Sequence, residues 1–504
     1  MNLARGTFLL LMITSLPNAL AATNNITIPV ELSQNAFDFV SKGKLDDTVV
    51  SRQQIKSMNR EFEEQYYYQW SEQATQQDFY YVPGEQSTKN SVLQLEWETI
   101  EYYQDRVGYG RNYIPHSSDW VSDIAENMDL ANFPNVSCEE SCLGITTDNV
   151  LVRSLPTQEE FYNDFTTPGE GYPFDYIQLS NLRIGAPIML IQTTKDKQWT
   201  LIKSQGTMGW VPTVQVAKTD REFRNKWQRS QFVTPTVRKQ TMMLKDTDTS
   251  LTIESGAILP IKGSKVRVPS KKHDGYANLA KVEKQPFAVA SWPLKPTYEN
   301  FAKQVSSLTT MPYGWGGKDY NDDCSGLLVR MFSAFGVWLP RASYWQANYS
   351  GARYSLYETS QEERKNWLVE QQGPAELIPF MTLVSFGNSE DSTSHIGLYL
   401  GTTRYNGEET AVMFNTAWGV GMVNSLTQVS GRALISQTLI TPIGMGDAFA
   451  PGLSLQNWQL SSMWDKVGFN VTLLTEEPAP ITARKAMSYS PQATPSIEQY
   501  LVWK

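Results

Sequence analysis

Cys324 is the residue of this chain best suited to act as a nucleophile. It lies in residues 312–335, PYGWGGKDYNDDCSGLLVRMFSAF, and is followed by apolar residues at a three-to-four spacing. These residues are Leu327, Leu328, Met331, Phe332 and Phe335. The spacing predicts a helix with one buried face that begins at the cysteine and ends near Gly336. A thiol in the first turn of a helix lies at the positive end of the dipole, which can lower its pKa from roughly 8.5 to about 3.5–7.5. The alternative is a cysteine that serves as a small buried hydrophobic residue.

Three glycines, Gly314, Gly316 and Gly317, come shortly before the cysteine. Residues without side chains are expected where the backbone and a substrate must come close. Ser325 and Gly326 leave room on the other side of the thiol. This setting favours the nucleophile over the buried hydrophobic residue.

A cysteine nucleophile needs a base, and the chain contains three histidines, His116, His273 and His395. His395 opens HIGLYLG, an alternating strand, and a second strand, AVMFN, ends at Asn415. If the hairpin folds about position 405, His395 pairs directly with Asn415 and both side chains project from one face. The amide would then fix the tautomer of the imidazole. The alternative is an inward histidine whose hydrogen bonds are satisfied by its neighbours.

The motifs YGWGG, DDCSGL, LPRAS, SHIGLYLG and NTAWGV occur in this order between about residues 290 and 425. Together they resemble the NlpC/P60 cysteine peptidases, papain-like cell-wall hydrolases in which a helix bearing the nucleophile packs on an antiparallel sheet bearing the base. The resemblance implies Cys324 as nucleophile, His395 as base and Asn415 as the third polar residue. Many members carry histidine in that last place, so asparagine departs from the commonest pattern.

Asp323 precedes the nucleophile, where a carboxylate raises the pKa of the thiol rather than activating it. One interpretation is a helix cap formed by Asp322 or Asp323. The other is a substrate contact. In members with adjacent SH3-like domains this aspartate contributes to gripping a free N-terminal amine. The resemblance also implies that Tyr313, Ser325 and Ser343 line the substrate pocket.

The composition points to an exported protein without a nucleic-acid partner. The formal net charge of −9 argues against a basic surface for a nucleic-acid backbone. Residues 1–21 read as a signal peptide whose apolar run is too short to span a bilayer, so no integral membrane span is expected. In an oxidising compartment Cys138 and Cys142 could pair. A redox-active or metal-binding role for these two cysteines would lack partners, so no metal site and no cofactor is expected.

The predicted fold class is multi-domain α+β, with a papain-like NlpC/P60 catalytic domain, two small SH3-like β-barrels and a helical N-terminal domain. Residues 143–217 resemble a bacterial SH3-like domain, and Asp175 in it is a candidate substrate contact. The predicted divisions are a signal peptide at 1–21, a helical domain at 22–142, SH3-like domains at 143–217 and 218–290, a catalytic domain at 291–445 and a C-terminal extension at 446–504.

The resemblance implies an exported, soluble cysteine endopeptidase, periplasmic or extracellular, whose partners are peptidoglycan stem peptides or muropeptides. It would cut between γ-D-glutamate and the diamino acid and prefer a free N-terminal L-alanine. The alternative is a catalytically inactive cell-wall-binding protein that uses its SH3-like modules. A third possibility is thiol chemistry on another amide or acyl substrate, because papain-like cores host several activities.

Overall fold

The structure is a computed structural model. It describes residues 25–27, 32–72, 74, 91–134, 140–167, 169–204, 206–245, 249–283, 287–390, 392–445 and 457–477. The predicted signal peptide and Cys138 lie outside these residues. Cys142 is disulfide-bonded, and Cys324 is the free cysteine of the described part of the chain.

The N-terminal region is mostly helical, but it is divided between two hydrophobic cores. Its elements are β1 (Asn25–Thr27), α1 (Arg52–Tyr66), α2 (Ser91–Gln104) and α3 (Trp120–Met128). Leu32 and Val49 pack into the core around the nucleophile helix, whereas Ile100 packs with the first barrel. Trp97 of α2 is 47% exposed and belongs to neither core.

The first barrel is a seven-stranded sheet in the order β4-β3-β7-β6-β5-β2-β8. Its strands are β2 (Leu143–Thr146), β3 (Val150–Arg153), β4 (Gln178–Leu182), β5 (Pro187–Thr193), β6 (Trp199–Lys203), β7 (Met208–Pro212) and β8 (Val216–Lys218). Trp210 is fully buried and donates its indole N–H to Glu96 of α2 at 2.8 Å. This bond fixes the helical region on the barrel.

Helix α4 (Arg221–Gln228) leads into a second β unit with its own core. Its strands are β9 (Gln231–Pro235), β10 (Lys239–Met243), β11 (Ser250–Glu254), β12 (Leu259–Lys262), β13 (Lys265–Lys271), β14 (Ala277–Lys281) and β15 (Val289–Ser291). Five of them form the sheet β14-β13-β12-β9-β15, and β10 pairs with β11 in a separate hairpin.

The C-terminal half is built on an eight-stranded sheet in the order β1-β20-β19-β18-β17-β22-β16, with β21 paired to β19. Its strands are β16 (Ala352–Ser355), β17 (Thr382–Phe386), β18 (His395–Tyr405), β19 (Glu408–Asn424), β20 (Ser430–Pro442), β21 (Trp458–Leu460) and β22 (Asn470–Leu473). The helices are α5 (Tyr298–Leu308), α6 (Cys324–Ser333), α7 (Ser343–Tyr349) and α8 (Gln361–Glu370).

Helix α6 packs its apolar face on the central strands of this sheet. Leu327, Leu328, Met331 and Phe332 are fully buried with Ile396 and Leu398 of β18, as the helical spacing predicts. The strand β22 lies between β17 and β16, so residues far beyond the hairpin complete the sheet. In the part of the chain that the structure describes, no helix has the length and apolarity needed to cross a bilayer.

Candidate active site

The nucleophile helix begins at Cys324 and is capped by the residue before it. Asp323 has extended backbone geometry and accepts the N–H of Gly326 at 2.9 Å, which is the bond of an N-cap residue. Its other carboxylate oxygen accepts the N–H of Gly316 at 3.0 Å. The two bonds tie the start of α6 to the glycine loop.

The carboxylate of Asp323 is also paired with Arg341. Arg341 donates to both of its oxygens, one bond measuring 2.9 Å, and the hydroxyl of Ser325 donates to Oδ1 at 3.0 Å. Five donors therefore converge on one carboxylate, so its roughly four lone-pair sites are fully used. The helix-cap interpretation of Asp323 is what the structure shows, whereas its contact with a substrate amine remains a prediction.

Asp322 does not cap the helix but joins a buried ion cluster behind it. Its carboxylate lies 3.2 Å from Arg183 of the first barrel and contacts Arg330 of α6. Both arginines also contact Glu254 of the second β unit, at 3.3 and 2.9 Å. Three parts of the chain thus meet on the residue two positions before the nucleophile.

The hairpin that carries the predicted base folds about Asn406 and Gly407, with Tyr405 opposite Glu408. A bulge between Tyr399 and Gly401 then shifts the register, so that Leu398 lies opposite Phe414. The predicted direct pairing of His395 with Asn415 is therefore wrong, because the turn lies at Asn406 and Gly407 rather than at position 405; after the one-residue shift at the bulge, Asn415 comes opposite Gly397. The two side chains still share a face, since residues two apart on a strand project to the same side.

His395 and Asn415 meet across the diagonal of the ladder. The imidazole Nε2 lies 3.1 Å from Oδ1 of Asn415, and Nδ2 of Asn415 donates to the hydroxyl of Thr441 on β20 at 3.0 Å. Because Thr441 takes the amide N–H, the amide oxygen faces the ring and Nε2 carries the proton. The other ring nitrogen, Nδ1, makes no hydrogen bond within the described residues.

Gly397 makes this diagonal contact possible, and the sequence analysis gave it no role. A Cβ at this position would lie 3.1 Å from the Cβ of Asn415 and 2.8 Å from the sulfur of Met413. A side chain there would fill the space between the base and its amide partner. The signal in the sequence was a glycine two residues after the histidine within an otherwise apolar strand.

Cys324 lies beside the first residues of β18. Burial, and after it the neighbouring charge of Asp323, raise the pKa of its thiol to about 12. The backbone N–H of Ile396, the cation of Arg341 and the N–H of Ser325 act in the opposite direction. The predicted lowering of this pKa is wrong, because burial and the adjacent carboxylate outweigh the helix dipole.

The base is neutral as well. Burial lowers the pKa of His395 to about 4, and the hydrogen bond that the ring donates to Asn415 offsets only part of this effect. Within the described residues, the thiol and the imidazole form no hydrogen bond with each other. The resting site therefore holds a neutral thiol near a neutral imidazole rather than a thiolate–imidazolium pair.

The other residues expected at the pocket have defined partners. Tyr313 is 9% exposed, and burial, Asp323 and Cys324 raise the pKa of its hydroxyl. Ser343 donates its hydroxyl to the carbonyl of Thr393 at 3.0 Å, which holds the segment just before His395. Asp175 is fully buried and paired with Arg153 at 3.0 Å, so it has a structural role.

The glycine loop before the nucleophile packs against the first barrel. A Cβ on Gly316 would lie 2.2 Å from the carbonyl oxygen of Gln178, and one on Gly317 would lie 2.6 Å from the side chain of Asn181. Gln178 donates to the carbonyl of Gly316 at 2.9 Å, and Asn181 donates to that of Asn321 at 2.9 Å. The predicted close approach is therefore made by β4 of the barrel, which builds one wall of the site.

Two family models match the chain. Residues 310–422 match the NlpC/P60 family, and residues 160–212 match the SH3 domain of the SH3b1 type. A comparison with curated proteins gave no match.

Solved structures of NlpC/P60 proteins are similar to this chain to different degrees. An NlpC/P60 endopeptidase from Photobacterium damselae subsp. piscicida is 56% identical with a TM-score of 0.86, over 90% of this chain and 100% of that one. An NlpC/P60 family protein from Bacillus cereus ATCC 10987 is 15% identical with a TM-score of 0.39, over 64% and 99% of the two chains. NlpC2 from Trichomonas vaginalis is 12% identical with a TM-score of 0.24, over 64% and 96%.

These comparisons confirm the predicted multi-domain α+β class with an NlpC/P60 domain, an SH3-like domain and N-terminal helices. The relative from Photobacterium is similar over almost the whole length of both chains. This protein therefore belongs to the NlpC/P60 family, whose members are generally cysteine peptidases that act on peptidoglycan.

Proposed function

We propose that the chain is an exported cysteine endopeptidase that hydrolyses peptidoglycan stem peptides between γ-D-glutamate and the diamino acid. The observation that carries the proposal is the oriented base. Thr441 fixes the amide of Asn415, and Asn415 fixes the tautomer of His395. The thiol of Cys324, at the start of α6, lies beside the first residues of β18, the strand that carries His395. This is the nucleophile, base and orienter arrangement of thiol hydrolases.

The neutral resting state defines the order of proton transfers. When a stem peptide binds, Nδ1 of His395 takes the proton of Cys324 as the sulfur attacks the γ-carbonyl carbon. The carbonyl electrons move to its oxygen, which rests on backbone N–H groups at the start of α6 and on the hydroxyl of Tyr313. The imidazolium then protonates the amine of the diamino acid as the C–N bond breaks. Water, deprotonated by the same imidazole, hydrolyses the thioester and restores the thiol.

The activity test uses L-Ala-γ-D-Glu-diaminopimelate and follows the release of L-Ala-γ-D-Glu by chromatography. We expect hydrolysis by the wild-type protein and a loss of at least 1,000-fold in Cys324→Ala. Hydrolysis that continued unchanged in Cys324→Ala would refute the proposal. A wild-type protein that bound the peptide without hydrolysing it would support the alternative, a cell-wall-binding protein whose raised thiol pKa reflects an inactive site.

The preferred substrate in this proposal has a free amine on L-alanine, attracted by Asp323. The carboxylate already pairs with Arg341, so an incoming ammonium would have to share it with that cation. The test compares the free peptide with the same peptide acetylated on its amine. We expect slower hydrolysis of the acetylated peptide, and equal rates would remove Asp323 from this role.

Export is the remaining part of the proposal and rests on residues 1–21 of the sequence. We expect the mature protein to begin at Ala22 and to be found outside the cytoplasm, in the periplasm or the medium. N-terminal sequencing of the protein from its native cells provides the test, and an intact Met1 would contradict it.

A further inference from the structure

Arg432 lies between the catalytic sheet and the first barrel, where the charge of Glu170 is near enough to influence its pKa. It forms no hydrogen bond or ion pair with any residue that the structure describes, and its Nε atom is buried without a partner. The other cations around the nucleophile are paired: Arg341 with Asp323, and Arg330 with Asp322. A buried guanidinium N–H without an acceptor costs free energy, because its hydration is lost without replacement.

Two glycines make room for this side chain. On β19, a Cβ at Gly419 would lie 2.9 Å from Cγ of Arg432, and on the barrel a Cβ at Gly169 would lie 2.2 Å from one of its terminal nitrogens. Arg432 itself is opposite Gly421 in the ladder. The guanidinium therefore occupies a slot whose walls have no side chains at the points of contact.

Tyr313 connects this slot to the nucleophile. Its backbone N–H donates to Ser436 of β20 at 3.0 Å, four residues after Arg432. Its hydroxyl is close enough to Asp323, Cys324, Arg341 and Arg432 for each of them to influence its pKa, the first two raising it and the two arginines lowering it. Aromatic rings continue the wall, with Trp418 at 6.4 Å and Phe174 of the barrel at 6.2 Å from the ring of Tyr313. Cys324 and an anion bound by Arg432 would thus both be neighbours of Tyr313.

We propose that Arg432 binds the free α-carboxylate of the γ-linked glutamyl residue, an inference that rests on the proposed function. In a γ-linked glutamate the scissile carbonyl and the α-carboxylate are separated by three carbon atoms, so the carboxylate remains close to the nucleophile when the amide is bound. The planar guanidinium forms two parallel hydrogen bonds with a carboxylate, which also fixes its direction. Arg432 is then a specificity-determining residue that distinguishes γ-glutamyl from γ-isoglutaminyl stems.

The test measures binding in the Cys324→Ala protein by calorimetry, so that it does not depend on turnover. The ligands are L-Ala-γ-D-Glu-diaminopimelate and the same peptide with the α-carboxylate converted to a carboxamide. We expect the carboxylate peptide to bind at least tenfold more tightly. Adding Arg432→Gln should weaken its binding at least tenfold and change the affinity for the carboxamide peptide by less than twofold.

Two further variants complete the experiment. Arg404→Gln removes an exposed arginine from β18, two strands away in the same sheet, and should leave both affinities unchanged. Arg432→Lys keeps the charge but loses the planar pair of donors, so we expect it to retain part of the discrimination between the two peptides. If Arg432→Gln does not fold, Arg432→Lys replaces it in the binding measurement.

The outcomes separate this inference from the proposed function. Three results would overturn the role of Arg432. The Cys324→Ala protein could bind the two peptides with equal affinity, it could bind neither peptide, or Arg432→Gln could lower its affinity for both peptides equally. If the wild-type protein hydrolyses the carboxylate peptide in that case, the proposed function stands without it. If the wild-type protein hydrolyses neither peptide while Arg432 discriminates between them in binding, the carboxylate site stands and the peptidase proposal fails.

Discussion

The charge of Asp323 should slow the chemistry of the thiol beside it, and replacing this carboxylate by an amide should make the thiol more reactive. Two negative charges about 6 Å apart, such as a carboxylate and a neighbouring thiolate, repel each other by about 3 kcal/mol at an effective dielectric constant near 20. This energy raises the pKa of the thiol by about 2 units. In Asp323→Asn the pKa of Cys324 should fall by about this amount, and the unpaired Arg341 acts in the same direction.

The expected change in alkylation rate follows from two opposing effects. Below the pKa, a fall of about 2 units raises the thiolate fraction about 100-fold, whereas the weaker nucleophilicity of the more acidic thiolate reduces its rate constant by about eightfold. Alkylation of Cys324 by iodoacetamide between pH 7 and 9 should therefore be about tenfold faster in Asp323→Asn. Peptide hydrolysis should become slower, because the amide cannot accept all the bonds that hold Gly316, Gly326 and Arg341.

The assay follows the carboxamidomethylated Cys324 peptide by mass spectrometry over time. The matched control is Asp319→Asn, which removes an exposed carboxylate from the same loop and should leave the rate unchanged. In the wild-type protein the rate should rise about tenfold per pH unit up to pH 10 without a plateau, because the pKa is about 12. Alkylation of folded Asp323→Asn that was no faster than wild type would refute this account of the thiol.

Three further predictions concern the base, its orienter and a buried acid. His395 must be neutral to accept a proton and its pKa is about 4, so kcat/KM should decline in acid around pH 4 rather than near 6.5, as a pH–rate profile would show. Asn415→Ala should lower kcat/KM by roughly 10- to 100-fold while Thr441→Val lowers it less, and equal activity of Asn415→Ala and wild type would contradict the orienting role. Burial raises the pKa of Glu96 to about 8, so the folded state holds this proton and loses stability as pH rises from about 4.5 to 8. Glu96→Gln should thus gain about 2–5 kcal/mol of unfolding free energy relative to wild type between pH 5 and pH 9, measured by urea denaturation, and a pH-independent difference would contradict the prediction.

The sequence predicted the main elements of the site because their signals are local. The apolar period after Cys324 identified the buried face of α6, and the alternation after His395 identified its strand. The ordered motifs identified the family, which the comparisons confirm. Each of these features depends on residues close together in the chain.

The errors arose where distant segments meet. The hairpin turns at Asn406 and Gly407 rather than at position 405, and the bulge between Tyr399 and Gly401 shifts its register by one residue, so the pairing of His395 could not be read from the chain alone. Gly316 and Gly317 were assigned to a substrate, but they face the first barrel, whose position no local pattern indicates.

By itself, the sequence predicted which residues carry the chemistry, since residue type and period are properties of the chain. Tertiary structure decided their protonation states, because the pKa values of Cys324 and His395 depend on burial beneath segments distant in sequence and on neighbouring charges. It also decided which charges are paired: Arg341 and Arg330 form ion pairs, whereas Arg432 forms none with the residues that the structure describes. The physical reason is that desolvation and ion pairing depend on all neighbours in space, whereas helical and strand periodicity depend only on neighbours along the chain.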